Sequence, residues 1–285
     1  MKNQLSIGFF QYTPIFNDIK RNLDSIHKLI KDNKKAIADK DIIIFPEYSF
    51  SGPINVENLK NYKNQLKELD INNELKKISK KYPSTAFVFG SIITEIKKKY
   101  YNTTFTIKNG DILSQYSKKA LIYNENIICE VDSNFPVIKI KNSRIGIAIC
   151  WDLILPEVFR KYSGKVDLMI VPSFWGIGGN ELQAKYSYSL EKKYYEALCV
   201  ARAYENSFNL LFVNSVGKYK SDFYSDRMMG GSLLVTPPAG VVYKTNNKNP
   251  SYLHNISLDS SLLIEYRKYY ATDKDYEYYM SKGIF

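Results

Sequence analysis

The chain has 285 residues, of which 40 are Lys or Arg and 29 are Asp or Glu, so its formal net charge is +11. The lysines are spread along the whole sequence, which favours a biased composition over a nucleic-acid-binding surface. The chain has three cysteines and starts without an export pattern, which argues against a disulfide scaffold. It has no apolar run of about 20 residues, which argues against a membrane span. These features predict a soluble cytoplasmic protein.

Apolar strands and amphipathic helices follow one another along the chain, and hairpin turns interrupt them in places. Since neither a repeat nor a low-complexity linker divides the chain, we expect one α/β domain over residues 1–285 with a core of two sheets. Strands are predicted over residues 5–10, 41–45, 86–93, 100–107, 112–116, 137–140, 144–149, 166–171, 209–214, 231–236 and 241–244, and helices over residues 16–38, 57–82, 181–205 and a short stretch from 156.

The most informative segment brings a cysteine to the end of an apolar strand. Cys150 ends the strand, and Pro156 with Glu157 begins a helix a few residues later. A cysteine near a helix start with a cation beside it has a lowered pKa, so Cys150 is a candidate nucleophile. The alternative, a small buried core residue, stays open on this segment alone. It is the better interpretation for Cys199, which lies in a helix stripe.

A glutamate also follows an apolar strand. Glu47 comes directly after Pro46, where partial burial would raise its pKa towards neutrality and suit it to acid–base chemistry. A helix cap or a loop salt bridge is the commoner role for such a residue. Because His27 and His254 are the two histidines of the chain, a carboxylate is the better candidate for the proton acceptor of a reactive cysteine.

A lysine pair ends the strand over residues 112–116. Strand alternation would turn one of Lys118 and Lys119 inward, where an ammonium can stabilise an oxyanion, and the other towards water. Two solvated lysines on an edge strand are the plainer interpretation. Glu125 could orient Lys118, and Glu130 is a competing candidate.

Taken together, these segments resemble the nitrilase superfamily of carbon–nitrogen hydrolases. Its three motifs correspond to Pro46-Glu47, Tyr116-x-Lys118-x-x-Leu121 and Gly146-x-x-x-Cys150-Trp151-Asp152, and later segments follow in the family order. The chain departs from the family at Ala120, where histidine is frequent, and at Thr236, where aspartate is frequent.

The resemblance implies a four-layer α–β–β–α sandwich that forms a homodimer or a higher homo-oligomer. It implies a catalytic set of Glu47, Lys118 and Cys150, with Glu125 in support and with neither a metal nor an organic cofactor. The backbone N–H of Trp151 would help to hold the oxyanion, and Trp175 is either a pocket residue or a buried aromatic anchor.

The expected substrate is a small molecule. Trp151-Asp152 after the cysteine is closer to the amidase and carbamoyl-amidase branches, so a small aliphatic amide or an N-carbamoyl amine is favoured. Hydrolysis of a nitrile to a carboxylic acid is the alternative within the family. A non-catalytic basic binding protein is the alternative of another class.

Overall fold

Two six-stranded sheets form the middle of the molecule. The computed structural model describes residues 4–122, 125–177, 188–246, 252–270 and 272–283. The strands are β1 (Gln4–Phe10), β2 (Ile42–Ile44), β3 (Ala86–Ile96), β4 (Lys99–Lys108), β5 (Asp111–Ser117), β6 (Val137–Ile140), β7 (Ser143–Ile147), β8 (Leu168–Ser173), β9 (Asn209–Asn214), β10 (Val216–Lys220), β11 (Ser225–Met229), β12 (Leu233–Thr236), β13 (Gly240–Lys244) and β14 (Leu253–Asp259).

Helices flank the sheets on their outer faces. They are α1 (Ile19–Asp32), α2 (Lys34–Ala38), α3 (Val56–Leu69), α4 (Ile71–Lys80), α5 (Pro156–Arg160), α6 (Tyr188–Asn206), α7 (Ser261–Tyr269) and α8 (Thr272–Ser281), with a 3-10 helix over Cys150–Ile154.

Each sheet has a parallel centre and antiparallel edges. The first sheet has the order β14-β1-β2-β3-β4-β5, and β1, β2 and β3 are parallel. The second has the order β13-β12-β9-β8-β7-β6, and β7, β8 and β9 are parallel. The hairpin of β10 and β11 is a separate two-stranded sheet.

Strand alternation divides the side chains of the first sheet between two cores. Ile42 and Ile44 enter the core that also contains residues of the second sheet and of α6, whereas Ile43 enters the core shared with α1, α3 and α4. Because successive side chains point to opposite faces of a strand, each sheet buries both faces. The layers are helices, sheet, sheet and helices, which confirms the expected α–β–β–α sandwich.

Two helices predicted as continuous are interrupted. The first begins at Ile19, where the Asp18 carboxylate accepts from the N–H of Arg21, and Asn33 separates α1 from α2. The second breaks at Asp70, whose φ of 38° lies in the left-handed region and whose side chain caps α4. A periodic apolar stripe continues across such breaks, so periodicity alone did not reveal them.

The strand that delivers the cysteine is shorter than predicted. It ends at Ile147, and the cysteine itself begins a 3-10 helix. The predicted set lacked β10, β11, β14, α7 and α8. The long helix begins at Tyr188, and residues 178–187 of the predicted loop and helix lie outside the described residues. In the described part of the chain, we find no helix with the length and apolarity needed to cross a bilayer.

Candidate active site

The candidate residues meet beyond the carboxyl ends of the parallel strands. Glu47 follows β2 in the first sheet, and Cys150 follows β7 in the facing sheet. Lys118 follows β5, and its backbone N–H donates to the carbonyl of Asn102 at 2.9 Å. The ends of parallel strands are the usual place for a ligand site in an α/β sheet.

A glycine in the neighbouring strand lets the loop with Glu47 come close. A Cβ at Gly90 would lie 1.6 Å from the carbonyl oxygen of Pro46, so only a residue without a side chain fits there. The backbone turns at Tyr48, whose φ is 56°, and its N–H donates to Ser91 Oγ at 3.2 Å. These contacts fix the backbone on both sides of Glu47.

Cys150 lies on a sharp turn between strand and helix. Its φ of 45° lies in the left-handed region, which is uncommon for a residue with a side chain and marks a position held by its surroundings. Asp152 holds the turn, because its carboxylate accepts from the N–H of Ile149 at 2.8 Å.

The same aspartate ties the cysteine turn to the lysine segment. The buried carboxylate of Asp152 also accepts from the hydroxyl of Tyr116 at 2.7 Å and from the N–H groups of Lys119 at 2.9 Å and Ala120 at 2.7 Å. One carboxylate therefore fixes the backbone next to both Cys150 and Lys118.

The ammonium of Lys118 lies between two carboxylates. Its Nζ donates to Glu47 Oε1 at 2.9 Å and to Glu125 Oε2 at 2.7 Å. The Lys118 side chain is 0% exposed and Glu47 is 1% exposed. Burial lowers the pKa of Lys118, but the two carboxylates outweigh burial and hold this pKa well above its usual value. The Lys118 ammonium is therefore charged at neutral pH.

The thiol of Cys150 lies near the carboxylate of Glu47. The backbone N–H of Phe174 donates to Glu47 Oε2 at 3.0 Å. Burial and the Glu47 carboxylate raise the pKa of the thiol well above its usual value, and the Lys118 charge does not compensate. The expected lowered pKa of the thiol is therefore wrong, because Cys150 is 2% exposed and has an anion beside it.

The two glutamates have opposite pKa shifts. Burial raises the pKa of Glu47, and Lys118 offsets only part of this effect. Burial also acts on Glu125, but hydrogen bonds from Lys118, Tyr48 and the N–H of Ile122 lower its pKa below the usual value. Two carboxylates with pKa values shifted in opposite directions can have different roles. Glu47 is suited to exchange protons, whereas Glu125 stays charged.

The neighbouring candidates occupy other places. Lys119 was expected to face water, on the side away from Lys118. Its ammonium instead pairs with Asp132 and lies over the rings of Tyr116 and Phe135. Glu130 pairs with Lys99 at 3.5 Å, so Glu125 is the glutamate that orients Lys118.

The two tryptophans are neighbours beside the cysteine. The rings of Trp151 and Trp175 have centroids 5.2 Å apart. Trp175 is 7% exposed, packs against Tyr195 and Phe212, and donates from its indole N–H to Glu191 at 3.1 Å. These contacts give Trp175 the role of a buried aromatic anchor, whereas contact of either tryptophan with substrate stays a prediction.

Several residues of the site did not stand out in the sequence. Asn102 in β4 donates to both glutamates, Tyr48 donates to Glu125, and Phe174 supplies a backbone N–H. A buried asparagine within a strand is the one local signal, because strands are depleted in this residue. Within the described residues, no group of three or more His, Cys, Asp or Glu side chains could hold a metal ion.

Comparisons with known proteins find similar sequences and a similar fold. The chain is 24% identical to a probable nitrilase of Schizosaccharomyces pombe over 94% of this chain and 93% of that protein. It is 23% identical to an (R)-stereoselective amidase of a Pseudomonas species over 86% of this chain and 81% of that protein. The crystal structure of a carbon–nitrogen hydrolase from Helicobacter pylori has the same fold, with a TM-score of 0.81 at 17% identity over 96% of this chain and 95% of that one.

The model of the carbon-nitrogen hydrolase family matches residues 6–268, which is most of the chain. The match includes the strand ends that carry Glu47, Lys118 and Cys150. The chain therefore belongs to the carbon–nitrogen hydrolase family, within the nitrilase superfamily.

Proposed function

We propose that the protein hydrolyses a small aliphatic amide or an N-carbamoyl amine, with Cys150 as the nucleophile, Glu47 as the proton carrier and Lys118 as the oxyanion-binding cation. The observation that supports this proposal is the burial of the three side chains together: Glu47 Oε1 lies 2.9 Å from Lys118 Nζ, and the Glu47 carboxylate is close enough to the Cys150 thiol to raise its pKa. A non-catalytic basic binding protein has no need for three titratable groups buried together.

The first half of the reaction forms a thioester. The Cys150 sulfur attacks the carbonyl carbon while its proton moves to Glu47, and the carbonyl electron pair moves to the oxygen. Lys118 and the N–H of Trp151 hold this oxyanion. As the oxyanion collapses, the carbon–nitrogen bond breaks and Glu47 returns the proton to the departing nitrogen.

The second half releases the acid. Glu47 takes a proton from water, and the oxygen of that water attacks the thioester. The carbon–sulfur bond then breaks, and Glu47 gives its proton to the sulfur, which restores the thiol and the ionised carboxylate. Glu125 holds Lys118 charged and oriented in both halves. The side chains of the set need no metal or organic cofactor for these steps.

Amide hydrolysis is preferred over nitrile hydrolysis because Trp151-Asp152 follows the nucleophile. The relatives include an amidase and a probable nitrilase.

We also propose that a second copy of the chain covers α6, where Ala197, Val200 and Tyr204 line an open groove. Neither the substrate nor the homodimer follows from the family alone.

Ammonia release from a panel of aliphatic amides, N-carbamoyl amines and nitriles tests the proposal. Cys150→Ala should reduce turnover by about 10⁴-fold or more, because no other group can form the covalent intermediate. Cys199→Ala, which removes a buried thiol in α6, is the matched control and should keep wild-type turnover. Equal turnover by Cys150→Ala and wild type would reject the mechanism, and turnover of nitriles alone would favour the alternative.

A further inference from the structure

Asn102 bridges the two carboxylates of the site. It lies in β4 and is 1% exposed. Its Nδ2 donates to Glu47 Oε1 at 3.0 Å and to Glu125 Oε1 at 2.8 Å. An ionised carboxylate can only accept hydrogen bonds, so the amide must present its two N–H bonds to the glutamates. This requirement fixes the orientation of the amide.

The two oxygens of Glu47 are consequently not equivalent. Oε1 accepts from Asn102 and from Lys118 Nζ, at 3.0 and 2.9 Å, and these two donors use both of its lone pairs. Oε2 accepts from the N–H of Phe174 at 3.0 Å. Oε2 therefore keeps a lone pair free to take the proton of the Cys150 thiol.

We infer that Asn102 is a positioning residue that keeps Oε1 of Glu47 a hydrogen-bond acceptor, so that Oε2 alone takes the proton from Cys150 and returns it to the leaving nitrogen. The inference rests on the proposed role of Glu47 as proton carrier. In the step itself the S–H bond breaks, an O–H bond forms at Oε2 and the sulfur bonds to the carbonyl carbon. Asn102 exchanges no proton and touches no substrate.

The charges around Glu47 decide the sign of the effect. Lys118 favours its ionised form, whereas Glu125 disfavours it, and Cys150, Tyr48 and Tyr224 are the further titratable groups close to it. The hydrogen bond that Asn102 donates stabilises the ionised form of Glu47. The amide of Asn102 also lies between the carboxylates of Glu47 and Glu125. Without this amide, Glu47 would bind a proton at higher pH, and its protonated form cannot accept the proton of the thiol.

Alkylation of Cys150 by iodoacetamide measures this ionisation without any substrate. The rate is followed against pH by mass spectrometry on the peptide that carries Cys150, because Cys129 and Cys199 are also free thiols. We expect the wild-type rate to fall at acidic pH as Glu47 becomes protonated. In Asn102→Leu, which has similar volume but no donor, this inflection should move to higher pH by about one unit, the effect of one hydrogen bond to a carboxylate.

Two further variants separate positioning from packing. Thr104→Val is the matched control, because Thr104 lies two residues along the same strand, is 1% exposed and keeps its shape when its hydroxyl is replaced. It should leave the inflection unchanged. Asn102→Asp keeps the shape of the side chain but replaces the donor by a third carboxyl group, so it should move the inflection upward as well. It also serves as the second probe if Asn102→Leu does not fold.

The outcomes are distinct. The inference would be overturned if folded Asn102 variants kept the wild-type inflection, even with a lower melting temperature. Asn102 would then contribute only to packing. An equal shift in Thr104→Val would also overturn it. If the wild type hydrolysed no amide, carbamoyl amine or nitrile, the proposed function would be rejected. The alkylation profile could still be measured in that case, so the two failures are distinguishable.

Discussion

At the level of single side chains, the two glutamates beside Lys118 differ in how completely they are hydrogen-bonded. Glu125 accepts from Lys118, Asn102, Tyr48 and the N–H of Ile122, so both of its oxygens are occupied. Glu47 keeps a position for the thiol proton. Burial is the largest influence on the pKa of both glutamates, but for Glu125 the charge of Lys118 and the hydrogen bonds together outweigh it, whereas for Glu47 they do not.

Glu125→Gln should lower kcat/KM by about 10²-fold, because Lys118 loses the anion that keeps it charged and oriented. The acidic inflection of the pH profile should move to lower pH, since the repulsion that raises the pKa of Glu47 is removed. This direction is opposite to that expected for Asn102→Leu. Steady-state kinetics against pH on an amide substrate measures both effects.

Glu130→Gln is the matched control for this prediction. Glu130 is a nearby glutamate that pairs with Lys99 on the surface, so its removal should leave kcat/KM and the inflection unchanged. A Glu125→Gln enzyme that behaves like Glu130→Gln would show that Glu125 plays no part in the reaction.

At the level of elements, the contact of β3 with the loop after β2 places the carboxyl group. Gly90→Ala would insert a methyl group 1.6 Å from the carbonyl oxygen of Pro46, so the loop that carries Glu47 must move. We expect the free energy of unfolding to fall by about 1–3 kcal/mol, as for other overpacked sites, with a loss of turnover in the protein that still folds. Chemical denaturation and ammonia release measure the two effects.

Gly240→Asn is the comparison for Gly90→Ala. Gly240 has a φ of 74° and an open space where a side chain would begin, and asparagine tolerates this backbone region better than other residues do. The substitution should leave turnover at the wild-type level. Wild-type turnover in Gly90→Ala would mean that the position of Glu47 does not depend on this contact.

Element boundaries were predictable where a residue type sets them and not where packing does. Asp18 and Asp70 are helix caps, and aspartate is a residue type that marks a helix start in the sequence. The end of β7 two residues earlier than predicted has no local signal. It follows from the Asp152 carboxylate, which draws the N–H of Ile149 into the turn and away from the ladder.

At the level of the whole molecule, a buried histidine lies at the edge where the two sheets meet. His254 in β14 stacks on Phe9 of β1 with a centroid distance of 5.0 Å. Its ring nitrogens lie 3.3 Å from the hydroxyl of Tyr243 in β13 and 3.4 Å from Gln11 Nε2. Burial lowers its pKa below the ordinary 6.5, so the neutral ring is the form that the fold accommodates.

This histidine should make the fold sensitive to acid. Because the unfolded chain binds the proton more readily than the folded one, stability is lost as the pH falls through 6.5 and towards the lower folded pKa. His254→Gln should remove this part of the pH dependence of the melting temperature. Identical profiles for His254→Gln and wild type would contradict the prediction.

The sequence by itself predicted a two-sheet α/β domain from its periodicity and, through the resemblance that its three motifs carry, the family, the α–β–β–α layers and the contact of Glu47 with Lys118. It could do so because burial periodicity and the three motifs are local properties of the chain. Only the tertiary structure decided that Glu125 rather than Glu130 contacts Lys118, that Asn102 joins the two glutamates, and that the thiol has a raised pKa. Hydrogen bonding and desolvation depend on distances between groups far apart in the chain, and a sequence pattern does not contain those distances.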